Sequence, residues 1–153
     1  MNISIERATP QDAAELVRVQ IAAFHNDALI YPGVEVGGPP GYDSVESTLR
    51  KITGDECYKI VHEGRIIGGM VVYQMGQGHC HLDLIYIDPD WHNRGVGTQA
   101  MRFLEQTYAA TKWTLDTPDW AVRNHHFYEK FGYTQVGESR EDDITLIAYE
   151  KQL

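Results

Sequence analysis

A mixed α/β domain of the α+β kind, ordered β-α-α-β-β-β-α-β-α-β-β, is what this sequence predicts, and three observations predict it. Its 153 residues and 17.4 kDa match one domain spanning 1–153. Apolar residues at 42% and charged residues at 23% are ordinary globular usage, which argues against disorder. Short β-rich runs set off by glycine turns alternate with stretches whose apolar residues recur at helical spacing.

The elements follow in order. Ile3 to Arg7 alternates apolar and polar residues, a short half-buried strand. Thr9 is a possible N-cap with Pro10 at the first helical position, and Leu16, Val17, Ile21 and Phe24 form an apolar stripe to about His25. Tyr31-Pro32-Gly33 and Gly37-Gly38-Pro39-Pro40-Gly41 make residues 31–42 a loop. Asp43 or Ser44 can cap a second helix with Val45, Leu49 and Ile52 facing inward. Cys57 to His62 and Arg65 to Tyr73 read as a hairpin around Glu63-Gly64, and Gln74 to Gly78 turns the chain into a strand from His79 to Ile87. The main helix spans Gly95 to Ala110, with Met101, Leu104 and Tyr108 on one face. Trp113 to Asp116 is a strand, 121–131 a helix, and Tyr133 to Val136 with Ile144 to Tyr149 a closing hairpin.

Composition also narrows function. No run approaches 18 apolar residues, which excludes a membrane-spanning helix, and Met1 to Arg7 lacks the apolar block of a secretory signal. Thirteen basic against 22 acidic residues give a net charge of −9. That balance disfavours nucleic acid and anionic membrane as partners. It suits a cationic partner or simple solubility. Cys57 and Cys80 form no CxxC and fit reduced thiols in a cytoplasmic protein.

The most informative stretch runs from Leu84 to Thr98, an apolar strand, a polar turn and two glycines opening a helix. Gly95 and Gly97 carry no Cβ to hold an anion away from first-turn N–H groups, which lack intrahelical partners and sit at the positive end of the helix dipole. A glycine-rich helix start that binds nothing is the alternative. Gly95 to Ala100 also satisfies G-x-G-x-x-G/A, with Asp116 about 20 residues on, as a dinucleotide-dependent oxidoreductase would require. Against that, Asp88 to Arg94 intervene between strand and glycines, and the preceding strands form a meander instead of βαβ units.

The run His92-Asn93-Arg94-Gly95-Val96-Gly97 resembles the pyrophosphate loop Gln/Arg-x-x-Gly-x-Gly/Ala of the GCN5-related N-acetyltransferases (GNAT), with His92 where that family has Gln or Arg. Asn124 to Tyr133, Asn-His-His-Phe-Tyr-Glu-Lys-Phe-Gly-Tyr, is similar to a second family segment, and the element order matches along essentially the whole chain. The resemblance implies acetyl-CoA as donor and direct transfer to a primary amine, with a homodimer as a common assembly. Pantetheine would enter between two splayed strands, Leu82 to Ile87 and Trp113 to Asp116, on backbone N–H groups near Ile85, Tyr86 and Ile87. The pyrophosphate would rest on Arg94, Gly95, Val96, Gly97 and Thr98, with His92, Asn93 and Asn124 adding contacts, and with Ala121 where many relatives carry Asn. A non-catalytic acyl-CoA-sensing module with the same fold is the other alternative.

For the chemistry, Tyr128 matches the family's general acid, although its neighbours Phe127 and Phe131 equally fit a core aromatic. His79, His81 and Asp83 fall at i, i+2, i+4 of one strand and share a face by alternation. His81 and Asp83 precede His92 by eleven and nine residues, where relatives place a base. His81 is the better base by its ordinary pKa, with Asp83 orienting it, drawing a water chain or meeting the substrate ammonium. A solvated strand face is the alternative, and no metal site is expected, since Cys80 points away. The acceptor site is expected at Phe24, His25, Tyr31, Tyr42 and Asp43, where Glu35, Asp43 and Glu46 suit a cationic amine.

Overall fold

Seven strands in the order β1-β2-β3-β4-β5-β7-β6 form one sheet in the computed structural model, which describes residues 2–153. The strands are β1 (Ser4–Arg7), β2 (Glu56–His62), β3 (Arg65–Gly76), β4 (His79–Ile87), β5 (Lys112–Pro118), β6 (Thr134–Glu141) and β7 (Ile144–Gln152). Neighbours are antiparallel except β4 and β5, joined as a parallel pair by α4 (Val96–Thr107), so the predicted mixed sheet is correct. The remaining helices are α1 (Ala13–His25), α2 (Asp27–Ile30), α3 (Val45–Gly54) and α5 (Val122–Lys130).

Local chemistry explains most boundaries. Before α1 a 3-10 turn opens at Pro10, and the Thr9 N–H donates to Asp12 Oδ2 at 2.8 Å. Ser44, not Asp43, caps α3, its Oγ accepting from the Ser47 N–H at 3.1 Å. Glu63-Gly64 and Gln77-Gly78 take paired positive φ values, as tight two-residue hairpins require. Three expectations need correction. Val45 is 43% exposed, and Thr48 takes the inward position beside Ile52. The main helix stops at Thr107, and Tyr108 turns extended as its C-cap, so Tyr108 lies off the helical face. The closing hairpin is longer than the apolar runs at its centre because β6 is almost wholly exposed and shows no apolar alternation. Residues 26–30, to which the sequence assigned no element, hold the single helical turn α2.

One sheet face packs on α4 and α5 through Met70, Leu82, Met101, Leu104, Trp113, Leu115 and Tyr149. The other packs on α1 and α3 through Leu16, Val19, Ile52, Val71 and Tyr86. A β-bulge in β4 switches faces between these layers. Leu82 pairs with Val72 but Leu84 with Val71, leaving Asp83 without a partner on β3. Leu82 therefore points to the α4 layer, whereas Leu84 and Tyr86 point to the α1 layer.

Candidate active site

Strands β4 and β5 are paired only from His79–Lys112 to Leu82–Leu115, whereas β5 continues against β7 to Pro118. Beyond Leu82 the two parallel strands therefore part, and every second N–H of β4 up to Ile87 faces the gap unpaired by β5. A cleft of about 570 Å³ occupies this opening, lined by β4, the turn before α4, α5 and the end of α1. Among predicted residues it brings together Phe24, Tyr31, Ile85, Tyr86, Ile87, His92, Asn93, Gly95, Val96, Gly97, Thr98, Asn124 and Tyr128.

The turn into α4 is held from beneath. Asp88, 4% exposed, donates its N–H to Ile67 O at 2.8 Å and accepts the Asp90 N–H at 3.0 Å. His92 Nε2 donates to Ile87 O at 2.8 Å, so this imidazole ties the loop to the strand end. Because a carbonyl only accepts, Nε2 carries the proton and Nδ1 is the nitrogen left for other partners. Arg94 stacks over Trp91 at 5.0 Å and does not line the cleft. Asn93 and Gly95 both adopt left-handed φ, 62° and 80°. The first helical bond runs from the Gln99 N–H to Gly95 O at 3.1 Å, which leaves the N–H groups of Val96, Gly97 and Thr98 without intrahelical partners. A Cβ on Gly97 would press on Phe127 at 3.2 Å, and one on Gly95 would stand in open space within the cleft. The donors and the space fit a pyrophosphate.

Tyr128 lies at the cleft among Phe127, Tyr133 and Tyr149, and burial alone holds its phenol well above the ordinary range. It stays protonated at any working pH, as a proton donor must. Asn124 donates to Thr117 Oγ1 at 3.3 Å and is tied to β5. The acceptor-side residues separate. Tyr31 is buried and bridges the cleft, its hydroxyl accepting the Arg123 N–H at 3.2 Å while its ring meets Trp120 at 5.3 Å. His25 and Tyr42 bond each other at 2.7 Å and do not line the cleft, Tyr42 packing edge-on against Phe24, and Asp43 is exposed. Glu35 and Glu46 are also exposed, so the acidic residues of this loop do not converge.

His81 and Asp83 lie at the foot of the parting strands and not in the cleft lining. His81 Nδ1 is 2.8 Å from Thr114 Oγ1, its ring stacks on Tyr73, and Nε2 stands 3.9 Å from Asp116 Oδ2. Asp83 accepts from Tyr73 Oη at 3.1 Å and faces Lys51 Nζ at 3.5 Å. Simple alternation places it two positions along the His81 face, but the bulge makes Asp83 an unpaired extra residue, and the carboxylate beside His81 is Asp116. No cluster of metal-ligating side chains occurs among the described residues.

Sequence reasoning missed Asp27. It lines the cleft, and burial raises its pKa to about 6, partly offset by His92. Its one signal is position: three residues after Phe24, it continues the inward stripe of α1 into α2. Arg123 and Lys130 also line the cleft and add positive charge near the cradle.

A family model described as the Acetyltransferase (GNAT) family matches residues 22–133. An uncharacterized protein of Bacillus subtilis, YrkN, is 34% identical over 129 residues, 82% of this chain and 69% of that protein. The S-(2-succino)cysteine N-acetyltransferase of the same organism is 25% identical over 145 residues, 86% of this chain and 84% of that enzyme. Among solved structures, the PaiA N-acetyltransferase of Thermoplasma acidophilum in complex with coenzyme A superposes with a TM-score of 0.78 at 18% identity, covering 100% of both chains.

Proposed function

The chain belongs to the GNAT acetyltransferase family, uses acetyl-CoA, and, we propose, transfers the acetyl group directly to a primary amine of a small molecule or peptide. The observation that carries this reading is the parting of β4 from β5 beyond Leu82–Leu115, with the unpaired N–H groups of α4 at its mouth. A doubly wound dinucleotide-binding sheet would be largely parallel, whereas here one strand pair in six is parallel and Asp116 stands beside His81.

Acetyl-CoA supplies an activated thioester, and the protein's groups do the rest. The N–H groups of Val96, Gly97 and Thr98 hold the pyrophosphate, and those of β4 facing the gap stabilise the charge developing on the carbonyl oxygen. His81 Nε2 takes a proton from the acceptor ammonium so that the amine can attack. Asp83, tied to Tyr73 and Lys51, keeps the supporting part of drawing a water chain. Tyr128 Oη gives its proton to the departing sulfur. No covalent acyl-enzyme is required, and Cys57 and Cys80 are buried in the sheet.

Asp27, which lines the cleft, and Asp116, beside His81, favour a cationic acceptor. A panel should include polyamines, lysine-like amines, a peptide N-terminus and S-(2-succino)cysteine, with free thiol release as the readout. Amine-dependent release supports the reading, and faster turnover of anionic than of cationic amines overturns the acceptor class. Coenzyme A binding with no release above hydrolysis would point instead to a sensing module. A homodimer and a cytoplasmic setting belong to the same proposal; sedimentation equilibrium and cell fractionation test them.

A further inference from the structure

The Thr114 hydroxyl lies between two imidazoles, 2.7 Å from His79 Nε2 and 2.8 Å from His81 Nδ1. Its oxygen carries one proton and two lone pairs, so it donates to at most one of them. Accepting from both would send its proton to a third group, and Thr114 Oγ1 makes no other hydrogen bond among the described residues. Two arrangements then keep that proton on one of these contacts. In the first, His81 Nδ1–H donates to Thr114 and the hydroxyl donates to His79 Nε2, which leaves a lone pair on His81 Nε2. In the second, the roles reverse and His81 has no free lone pair.

Protonated His81 distinguishes them. An imidazolium has no lone pair, so Thr114 must then accept from Nδ1, and its hydroxyl proton is left for His79. Of the two arrangements, only the first survives proton uptake without any hydrogen bond turning over, the condition for a preorganised site. His79 suits the receiving role because burial, Lys112 and His81 all disfavour its charged form. Asp116, 3.9 Å from Nε2, is too far for a direct hydrogen bond but well placed to offset the charge that Nε2 acquires. The other charged or titratable groups around the two rings are Tyr73 stacked on His81, Asp83 and Lys51 behind it, and the Lys112–Glu150 pair.

We infer that Thr114 is a positioning residue that holds His79 and His81 both in the Nδ1–H form, leaving the His81 Nε2 lone pair beside Asp116 as the point of proton uptake. This rests on His81 being the base. The step it serves moves one proton from the acceptor's nitrogen to His81 Nε2, the nitrogen keeping the electron pair with which it attacks. Because a free imidazole favours the Nε2–H tautomer, two Nδ1–H rings on neighbouring positions would be a distinctive signature.

The test is nitrogen-15 NMR of the imidazoles in the full chain at a pH where both are neutral, with Thr114→Val and Thr114→Ser alongside. Wild type and Thr114→Ser should show His79 and His81 as Nδ1–H, and Thr114→Val should move His81 toward Nε2–H. Turnover in Thr114→Val should fall about tenfold, short of the roughly hundredfold or greater loss for removing the base itself. A wild-type spectrum with His81 as Nε2–H, or one unchanged by Thr114→Val, overturns the inference. Undiminished turnover in His81→Ala would overturn the assignment of the base instead, whatever the spectra show.

Discussion

Tyr128 and Asp27 face the same cleft, and burial favours the protonated form of both. For the phenol, burial favours the protonated form that an acid needs. Tyr128→Phe keeps the ring and its packing and removes only the proton donor. Its kcat should fall roughly 10²- to 10³-fold while the coenzyme A dissociation constant stays within about twofold, as steady-state kinetics and calorimetry would measure. For the Asp27 carboxyl, burial raises the folded-state pKa to about 6, above its ordinary value of 3.8. The folded state then holds a proton that the unfolded state has released, so stability declines as pH rises from about 4 to about 6 and stays lower above. Asp27→Asn should leave Tm unchanged near pH 4 and raise it near pH 8. Partial exposure limits the gain to about 1 kcal/mol, roughly 2–4 °C. The ionised carboxylate also shares the cleft with the anion cradle, so coenzyme A should bind more weakly as pH rises through 6 in wild type and less so in Asp27→Asn.

At the scale of elements, α4 carries the cofactor site and Gly95 sets its start. With φ at 80°, an alanine there is strained in the left-handed region and adds a methyl group at a residue that lines the cleft. Gly95→Ala should cost roughly 1 kcal/mol, about 2–4 °C in Tm. It should also weaken coenzyme A binding by at least tenfold, and loss of stability with full affinity would mean that the cradle does not lie on these N–H groups. This element was legible because its signals are local: two glycines, a polar turn and an apolar strand in consecutive positions. Tyr128 and Asn124 were legible through a second contiguous motif. The bulge was not, since one extra residue in β4 is recorded nowhere but in the pairing with β3, and neither was the approach of Asp116, on another strand, to His81. Nor were the contacts of Tyr31 with Trp120 and Arg123, which join residues some 90 positions apart across the cleft. Loop composition marked residues 31–42 as irregular but could not tell which side chains return to the site, and His25 and Tyr42 turn to each other instead.

Across the whole molecule, the parting of β4 from β5 raises the question of what keeps the two halves of the sheet together. Direct pairing amounts to four registered positions, from His79 to Leu82. The stronger tie is the core beneath, where Tyr58, Ile60, Ile67, Met70 and Val72 of the first half pack in one cluster with Trp113, Leu115, Ile147 and Tyr149 of the second. Opening the gap further would expose that cluster to water at about 25 cal/mol per Å² of apolar surface, so the halves should unfold together. A ligand seated in the cleft touches both, through β4 and α4 on one side and α5 on the other. Acetyl-CoA or coenzyme A at a hundred times its dissociation constant should therefore raise the Tm of a single transition by roughly 5–10 °C, from about 2.7 kcal/mol of binding free energy. NAD under the same conditions should not. Differential scanning calorimetry decides the matter: two transitions, with coenzyme A moving only one, would mean that the shared core does not couple the halves and that the cleft is a hinge between separately folding parts.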